Sequence, residues 1–132
     1  MRFLIDTHCW LWLQTEPGRF DDGILQTLAQ PETGRYFSAA SAWEIAIKHA
    51  LGKLPLPEPP ATYVPERMRI SRTQGLAITH AHALGVGALP HHHRDPFDRL
   101  LVAQARIEGL TLITADPLLA PYDVSAIHPR GS

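Results

Sequence analysis

Short apolar runs that stop at or just before an acid alternate along this chain with helix-patterned segments. Phe3-Leu4-Ile5 stops at Asp6, and the run from Leu110 to Thr114 reaches Asp116 across Ala115 alone. A short run closed by a polar residue reads as a buried strand. The spacing predicts further strands over 35–38 and 76–78 and a last edge strand within 124–127. Helices are predicted over 8–14, 21–30, 41–51, 79–86 and 96–108. The last of these is the most clearly amphipathic, with Leu100, Leu101, Ala105 and Ile107 on its apolar side and Gly109 ending it. Strands alternating with helices point to an α/β domain, a parallel sheet with helices on both faces.

Two segments resist that pattern. Leu54-Pro55-Leu56-Pro57-Glu58-Pro59-Pro60 cannot be helix or paired strand, and reads as a stiff extended link between two helices. Residues 61–72 contain a helix started or broken at Pro65. The 132 residues form one domain over 1–132 with no internal repeat, and Arg130-Gly131-Ser132 has the look of a cloning remnant. At 45% hydrophobic and 19% charged residues the chain is not disordered. Its one cysteine, Cys9, excludes a disulfide framework and a Cys-based zinc knuckle. No apolar stretch is long enough to span a bilayer and the N-terminus lacks a secretion signal, so a cytoplasmic protein without membrane association is expected.

In an open parallel sheet, ligands bind beyond the carboxyl ends of the strands. Asp6, Glu44, Asp98 and Asp116 all fall at or near such points. Each has a plainer reading as well. Ser41-Ala42-Trp43-Glu44 has the form of a capping box, Asp95-Pro96-Phe97-Asp98 that of an N-cap with proline after it, and Asp6 and Asp116 can each cap the next helical segment. As a set, four acids gathered in one small domain would repel each other strongly if ionised together. A hard divalent cation such as Mg²⁺ or Mn²⁺ resolves that repulsion.

With those residues in view, the chain resembles a PIN-domain ribonuclease, specifically a VapC-like toxin of a type II toxin–antitoxin system. The resemblance rests on Phe3-Leu4-Ile5-Asp6-Thr7-His8, on Ser41-Ala42-Trp43-Glu44-Ile45, on the segment from His93 to Ala105 that contains Asp95-Pro96-Phe97-Asp98-Arg99-Leu100-Leu101, and on Leu112-Ile113-Thr114-Ala115-Asp116. It implies a three-layer α/β/α fold around a central parallel sheet and a metal-dependent endoribonuclease. It further implies that Asp6, Glu44, Asp98 and Asp116 are the catalytic acids. On that basis Asp6, Asp98 and Asp116 hold Mg²⁺ (or Mn²⁺), and Glu44 completes the shell or orients the attacking water. Asp95 is read as a cap that touches a metal-bound water, with direct metal ligation as the secondary reading, and Thr114 supports Asp116 or a water. The implied partners are an RNA substrate, a cognate antitoxin and a second copy of the chain in a homodimer. The alternative is a catalytically inert PIN-like module that binds RNA or protein.

Arg94 and Arg99 flank the third acid and are candidate RNA-binding residues, since guanidinium groups suit phosphate. Arg67, Arg69 and Arg72 read as helix surface or as partners of acids. The run His91-His92-His93 reads as structural or solvent-facing, because adjacent side chains do not converge on one ion in regular structure. Trp10, Trp12 and Trp43 read as core or protein interface, and Cys9 as core. A haloacid-dehalogenase-type phosphatase needs a second Asp where this chain has His8, and a phospho-receiver needs a late Lys, whereas the lysines are Lys48 and Lys53. The net charge of -1, from 12 basic and 13 acidic residues, is low for a nucleic-acid binder. Placing four acids in a metal pocket leaves nine acids against 12 basic residues. RNA binding is then expected to depend on the metal.

Overall fold

The structure, a computed structural model, describes residues 1–131. Five strands, β1 (Arg2–Ile5), β2 (Gly34–Ser38), β3 (Gln74–Leu76), β4 (Thr111–Ile113) and β5 (Ala126–Ile127), form one sheet in the order β3-β2-β1-β4-β5. Every pair in it is parallel, with Leu4 opposite Tyr36 on one side and Leu112 on the other. The helices are α1 (Thr7–Thr15), α2 (Asp22–Ala29), α3 (Ala39–Ala50), α4 (Pro60–Ile70), α5 (His80–Gly85) and α6 (Pro96–Glu108).

Alternation along the strands divides the core in two. Phe3, Ile5, Phe37 and Ile113 face one way and pack with Trp10 of α1, Leu28 of α2, Ile45 of α3 and Val64 of α4. Leu4 and Leu112 face the other way and pack with Leu101, Val102 and Ala105 of α6, and with Leu119 and Tyr122. The chain steps outward from β1 to β2 to β3 with its connections on the first face. It then returns past the starting strand to β4 with its connection on the second. The result is the expected three-layer α/β/α fold around a parallel sheet. The direction of winding reverses between β1 and β4, which leaves a crevice beyond their carboxyl ends.

Local chemistry explains where the boundaries fall. Gly109 ends α6 in the left-handed conformation at φ 66°, which costs glycine little, and the chain turns directly into β4. α3 begins at Ala39, two residues earlier than the Ser41 start expected from the sequence. Ser38 leaves β2 directly into the cap position and its Oγ accepts from Ala40 N at 3.0 Å. The helix α4 runs through Pro65 from a start at Pro60, so Pro65 neither breaks nor starts it. Pro60 stands at the first helical position, where no N–H is needed, and the bond lost at Pro65 would have gone to the carbonyl of exposed Ala61. The strand expected over 76–78 ends at Leu76. The tail is tied down at Pro129, whose carbonyl accepts from Asp21 N at 2.9 Å. Of the segment 130–132, Ser132 lies outside the described residues. Among the described residues no helix is long and apolar enough to cross a membrane.

Candidate metal centre

Asp6 directly follows β1 and its backbone N–H donates to Ile113 O at 3.0 Å, so the β1–β4 pairing extends one residue past the strands. That bond brings Thr114 beside Asp6. The Thr114 hydroxyl accepts from Asp116 N at 3.1 Å, and it lies close enough to the Asp6 carboxylate to favour its charged form. Asp6 also caps α1, with Oδ1 accepting from Cys9 N at 2.8 Å. Burial pushes the Asp6 carboxyl above the usual carboxylate range, against the pull of the Thr114 and Cys9 hydrogen bonds. Burial, and then the charge of Asp6, push the Cys9 thiol far up, so it behaves as a core side chain.

Glu44 is not the capping-box acid that its spacing from Ser41 suggests. Because α3 starts at Ala39, Glu44 lies in the second turn, 3% exposed, and its carboxylate is held by two other groups. Thr7 Oγ1 donates to Oε1 at 2.6 Å and Lys48 Nζ to Oε2 at 2.6 Å. The Glu44 bond is the main reason the Lys48 ammonium is raised further, with burial acting against it and the charges of Asp95 and Asp98 adding to the rise.

Asp95 is the cap of α6: its Oδ1 accepts from Phe97 N at 2.8 Å and Asp98 N at 3.2 Å, and Pro96 takes the first helical position. Asp98, one turn in, is strongly perturbed. Burial first, then the charges of Asp95, Glu44 and Asp6, push it up to about 7, while His93 pulls it down. Those causes also locate the cluster, because Asp6 and Glu44 act on Asp98 from distant segments of the chain. Asp116 follows β4, and its Oδ1 accepts from Leu118 N at 2.9 Å. A cleft of about 560 Å³ is lined by Thr114 and Asp116 together with Val124, Ile127 and His128.

His93, read from the sequence as structural or solvent-facing, enters the site. Its Nε2 lies 2.8 Å from Asp116 Oδ2 and 3.2 Å from Asp98 Oδ2. One ligand atom from each of His93, Asp98 and Asp116 falls within 4.8 Å of the others. His91 and His92 remain exposed, and His92 packs edge-on against Tyr122. A sequence signal for His93 does exist. It stands two residues before a cap residue whose own N–H needs an acceptor, and a His ring can supply one.

The expected RNA contact at Arg99 is corrected by its surroundings. The guanidinium is buried and donates to five acceptors: the carbonyls of Val86, Leu89, Pro90 and His93 and the hydroxyl of Tyr122. Arg99 therefore shapes the loop before α6 and does not face a ligand. Arg94 is exposed beside the acids. Away from the site, Arg69 pairs with Glu66 and Arg67 donates to Gln14, as a surface role implies. Trp10 is core, stacked on Phe37 with ring centres 4.3 Å apart, whereas Trp43 is 59% exposed and edge-on to Phe97.

The donor set fits a hard divalent ion. It offers the carboxylate oxygens of Asp98 and Asp116, and after burial it is the negative charge of Asp95, Glu44 and Asp6 that raises Asp98, charge that a cation would offset. This acidic cluster can bind such an ion.

The family profile described as "PIN domain" matches residues 3–123. Ribonuclease VapC16 of Mycobacterium tuberculosis is 67% identical over 45 residues, 34% of this chain. That match spans about a third, 32%, of the curated relative's length. VapBC2 from Rickettsia felis, solved bound to a DNA fragment from its promoter, superposes with a TM-score of 0.74 at 15% identity, over 97% of this chain and 98% of that one. DNA-bound VapBC from Salmonella typhimurium gives 0.69 at 16% identity, covering 97% and 98%. FitAB bound to an IR36 DNA fragment gives 0.65 at 18% identity, covering 96% and 94%. These structural likenesses establish the fold.

Proposed function

This chain belongs to the PIN-domain family, and from that premise we propose that it is a divalent-metal-dependent endoribonuclease acting as the toxin of a bacterial toxin–antitoxin pair. One observation carries the proposal. At the switch point of the sheet, burial and then the charges of Asp95, Glu44 and Asp6 raise Asp98 to about 7, and one His93 nitrogen lies against both Asp98 and Asp116. Capping alone accounts for Asp95 but leaves the burial of Asp6 and Glu44 and the perturbation of Asp98 without a purpose.

Asp6, Asp98 and Asp116 would hold Mg²⁺ or Mn²⁺ through carboxylate oxygens. A bound divalent ion supplies positive charge to the phosphoryl oxygen and lowers the pKa of a coordinated water. Thr114 steadies Asp116 through its bond to the Asp116 N–H and lies beside Asp6. Glu44, fixed by Thr7 and Lys48, orients the attacking water from the buried side. Exposed Arg94 meets a flanking phosphate, as guanidinium forks do. RNA therefore meets acids bridged by metal with sparse basic residues around them, so its binding requires the ion.

The relative named Ribonuclease VapC16 supports RNA as the substrate, and the VapBC and FitAB structures support a small antitoxin as partner. A homodimer acting in the cytoplasm belongs to the same reading. The test compares purified wild type with Asp6→Asn on RNA, with Mg²⁺ or Mn²⁺ and with EDTA. Cleavage is expected only for wild type with metal. Undiminished metal-dependent cleavage by Asp6→Asn would sink the proposal. Equal affinity for an uncleavable RNA in EDTA and in Mg²⁺ would remove the metal from substrate binding.

A further inference from the structure

His93 is the one group of the metal centre that neither the acid pattern nor capping accounts for. Its two ring nitrogens face opposite kinds of neighbour. Nδ1 lies 3.0 Å from the backbone nitrogen of Asp95, which has a proton to donate and nothing to accept with. Nδ1 must therefore present a lone pair, and the ring proton sits on Nε2. Nε2 in turn lies 2.8 Å from Asp116 Oδ2 and 3.2 Å from Asp98 Oδ2, both acceptors. The N–H donates to Asp116 and stays within reach of Asp98.

The backbone of His93 is equally constrained. Its N–H donates to the Tyr122 hydroxyl at 3.0 Å and its carbonyl accepts from Arg99 Nη1 at 3.3 Å. Arg99 and Tyr122 are themselves joined at 3.2 Å and buried. The ring is thus aimed by buried side chains, and is not free to turn over without leaving the Asp95 N–H unpaired.

A histidine that ligates an ion through Nε2 normally carries its proton on Nδ1 and gives it to a carbonyl or carboxylate. Here the place of that acceptor is occupied by an N–H donor. We propose that His93 is a positioning residue and not a metal ligand: its Nε2–H draws the Asp116 and Asp98 oxygens toward one point, and the Asp95 N–H keeps its nitrogen out of the ion's ligand set. Asp116 makes the consequence clear, because its Oδ1 is engaged by Leu118 N and only Oδ2 is left to turn into the site. The ligand set is then all oxygen, which suits Mg²⁺ and Mn²⁺ over zinc. The inference rests on the proposed metal-dependent function.

Two measurements test it. Nitrogen chemical shifts of the His93 ring in the metal-free protein are expected to show protonated Nε2 and bare Nδ1; a proton on Nδ1 overturns the proposal. Calorimetric titration with Mg²⁺ and Mn²⁺ then compares wild type, His93→Ala and His93→Gln, each checked for folding by circular dichroism. Gln keeps an N–H near the Nε2 position. Affinity is expected to fall on the order of 10–100-fold in His93→Ala, the usual effect of losing a group that orients a ligand. It is expected to return to within about threefold of wild type in His93→Gln. Unchanged or tighter binding by His93→Ala overturns positioning, and a Gln variant as weak as Ala points to a nitrogen ligand instead. If wild type itself binds neither ion, the metal-dependent reading fails and this inference with it. If wild type binds and the variants depart from the expected order, only the role of His93 fails.

Discussion

The two halves of the acidic cluster are built differently. Asp6 and Glu44 are 7% and 3% exposed and are each satisfied by the chain. Asp6 accepts from Cys9 N with the Thr114 hydroxyl nearby, and Glu44 has Thr7 and Lys48. Asp98 and Asp116 have side chains 22% and 31% exposed and share a single side-chain donor, His93. The buried half is held in place by the sheet and α3 whether or not an ion is present. In the open half Asp98 is left facing the charges of Asp95 and of the buried acids Glu44 and Asp6, and burial first and then those charges raise it to about 7. A cation gains most where charge is least compensated, so binding is expected to be controlled from the open half.

Removing a carboxylate from the open half should have the largest effect. Asp98→Asn and Asp116→Asn are each expected to lower RNA cleavage on the order of a thousandfold or more, since each removes a charged ligand. Asp98→Asn should meanwhile leave the metal-free protein at least as stable at neutral pH. An Asp98→Asn protein that still cleaves RNA at near the wild-type rate would erase the distinction between the halves.

Next in size is the loop that carries His93. Arg99→Leu strips five acceptors of their buried donor and should cost about 2–4 kcal/mol in urea denaturation. It should also weaken Mn²⁺ binding, because it frees the backbone that aims His93. Arg94→Leu, exposed on the same loop, should leave the urea midpoint nearly unmoved.

The pH dependence follows from Asp98, whose folded-state pKa of about 7 lies above its ordinary 3.8. Between those values the folded chain keeps a proton that the unfolded chain has lost. Stability of the metal-free protein therefore falls as pH rises from about 4 to about 7, by on the order of 2 kcal/mol. Asp6 is raised as well and adds with the same sign. Denaturation in EDTA at about pH 5 and about pH 8 should show the drop, and Asp98→Asn should reduce it. Metal affinity should move the opposite way, rising toward pH 7 as Asp98 ionises. A metal-free protein more stable at the higher pH would contradict the assignment.

The smallest effect belongs to the buried half. Lys48→Met removes a 37% exposed lysine from a Glu44 carboxylate that is only 5% exposed, so it should cost about 1–2 kcal/mol. Glu44 would keep its Thr7 bond. A larger loss in thermal unfolding would mean that Lys48, and not Thr7, holds Glu44.

Much of this arrangement is legible in the sequence. The order of strands and helices, the parallel sheet and the Asp95-Pro96 cap follow from local patterns. Glu44 is legible as a site acid but not in its environment, because a capping box and a second-turn acid share one spacing and only the start of α3 separates them. Arg99 and His93 exchange their expected roles for a related reason. A charged residue next to an acid suggests a ligand contact, yet burial sends the Arg99 guanidinium to the loop carbonyls. Three consecutive histidines suggest solvent, yet one of them finds the Asp95 N–H on one side and two carboxylates on the other.

By itself, the sequence determined which strands form, where helices are capped, and that an acid adjoins or closely succeeds the strands at the centre of the sheet. These are effects of neighbours a few residues apart, set by periodicity, proline and side-chain capping. Only the tertiary structure decided which of those acids act on one another, which basic group is buried and which histidine turns inward. Those outcomes depend on desolvation and on charges brought together from distant segments. The reversal of winding between β1 and β4 fixes both when it opens the crevice and packs α3 and α6 beside it.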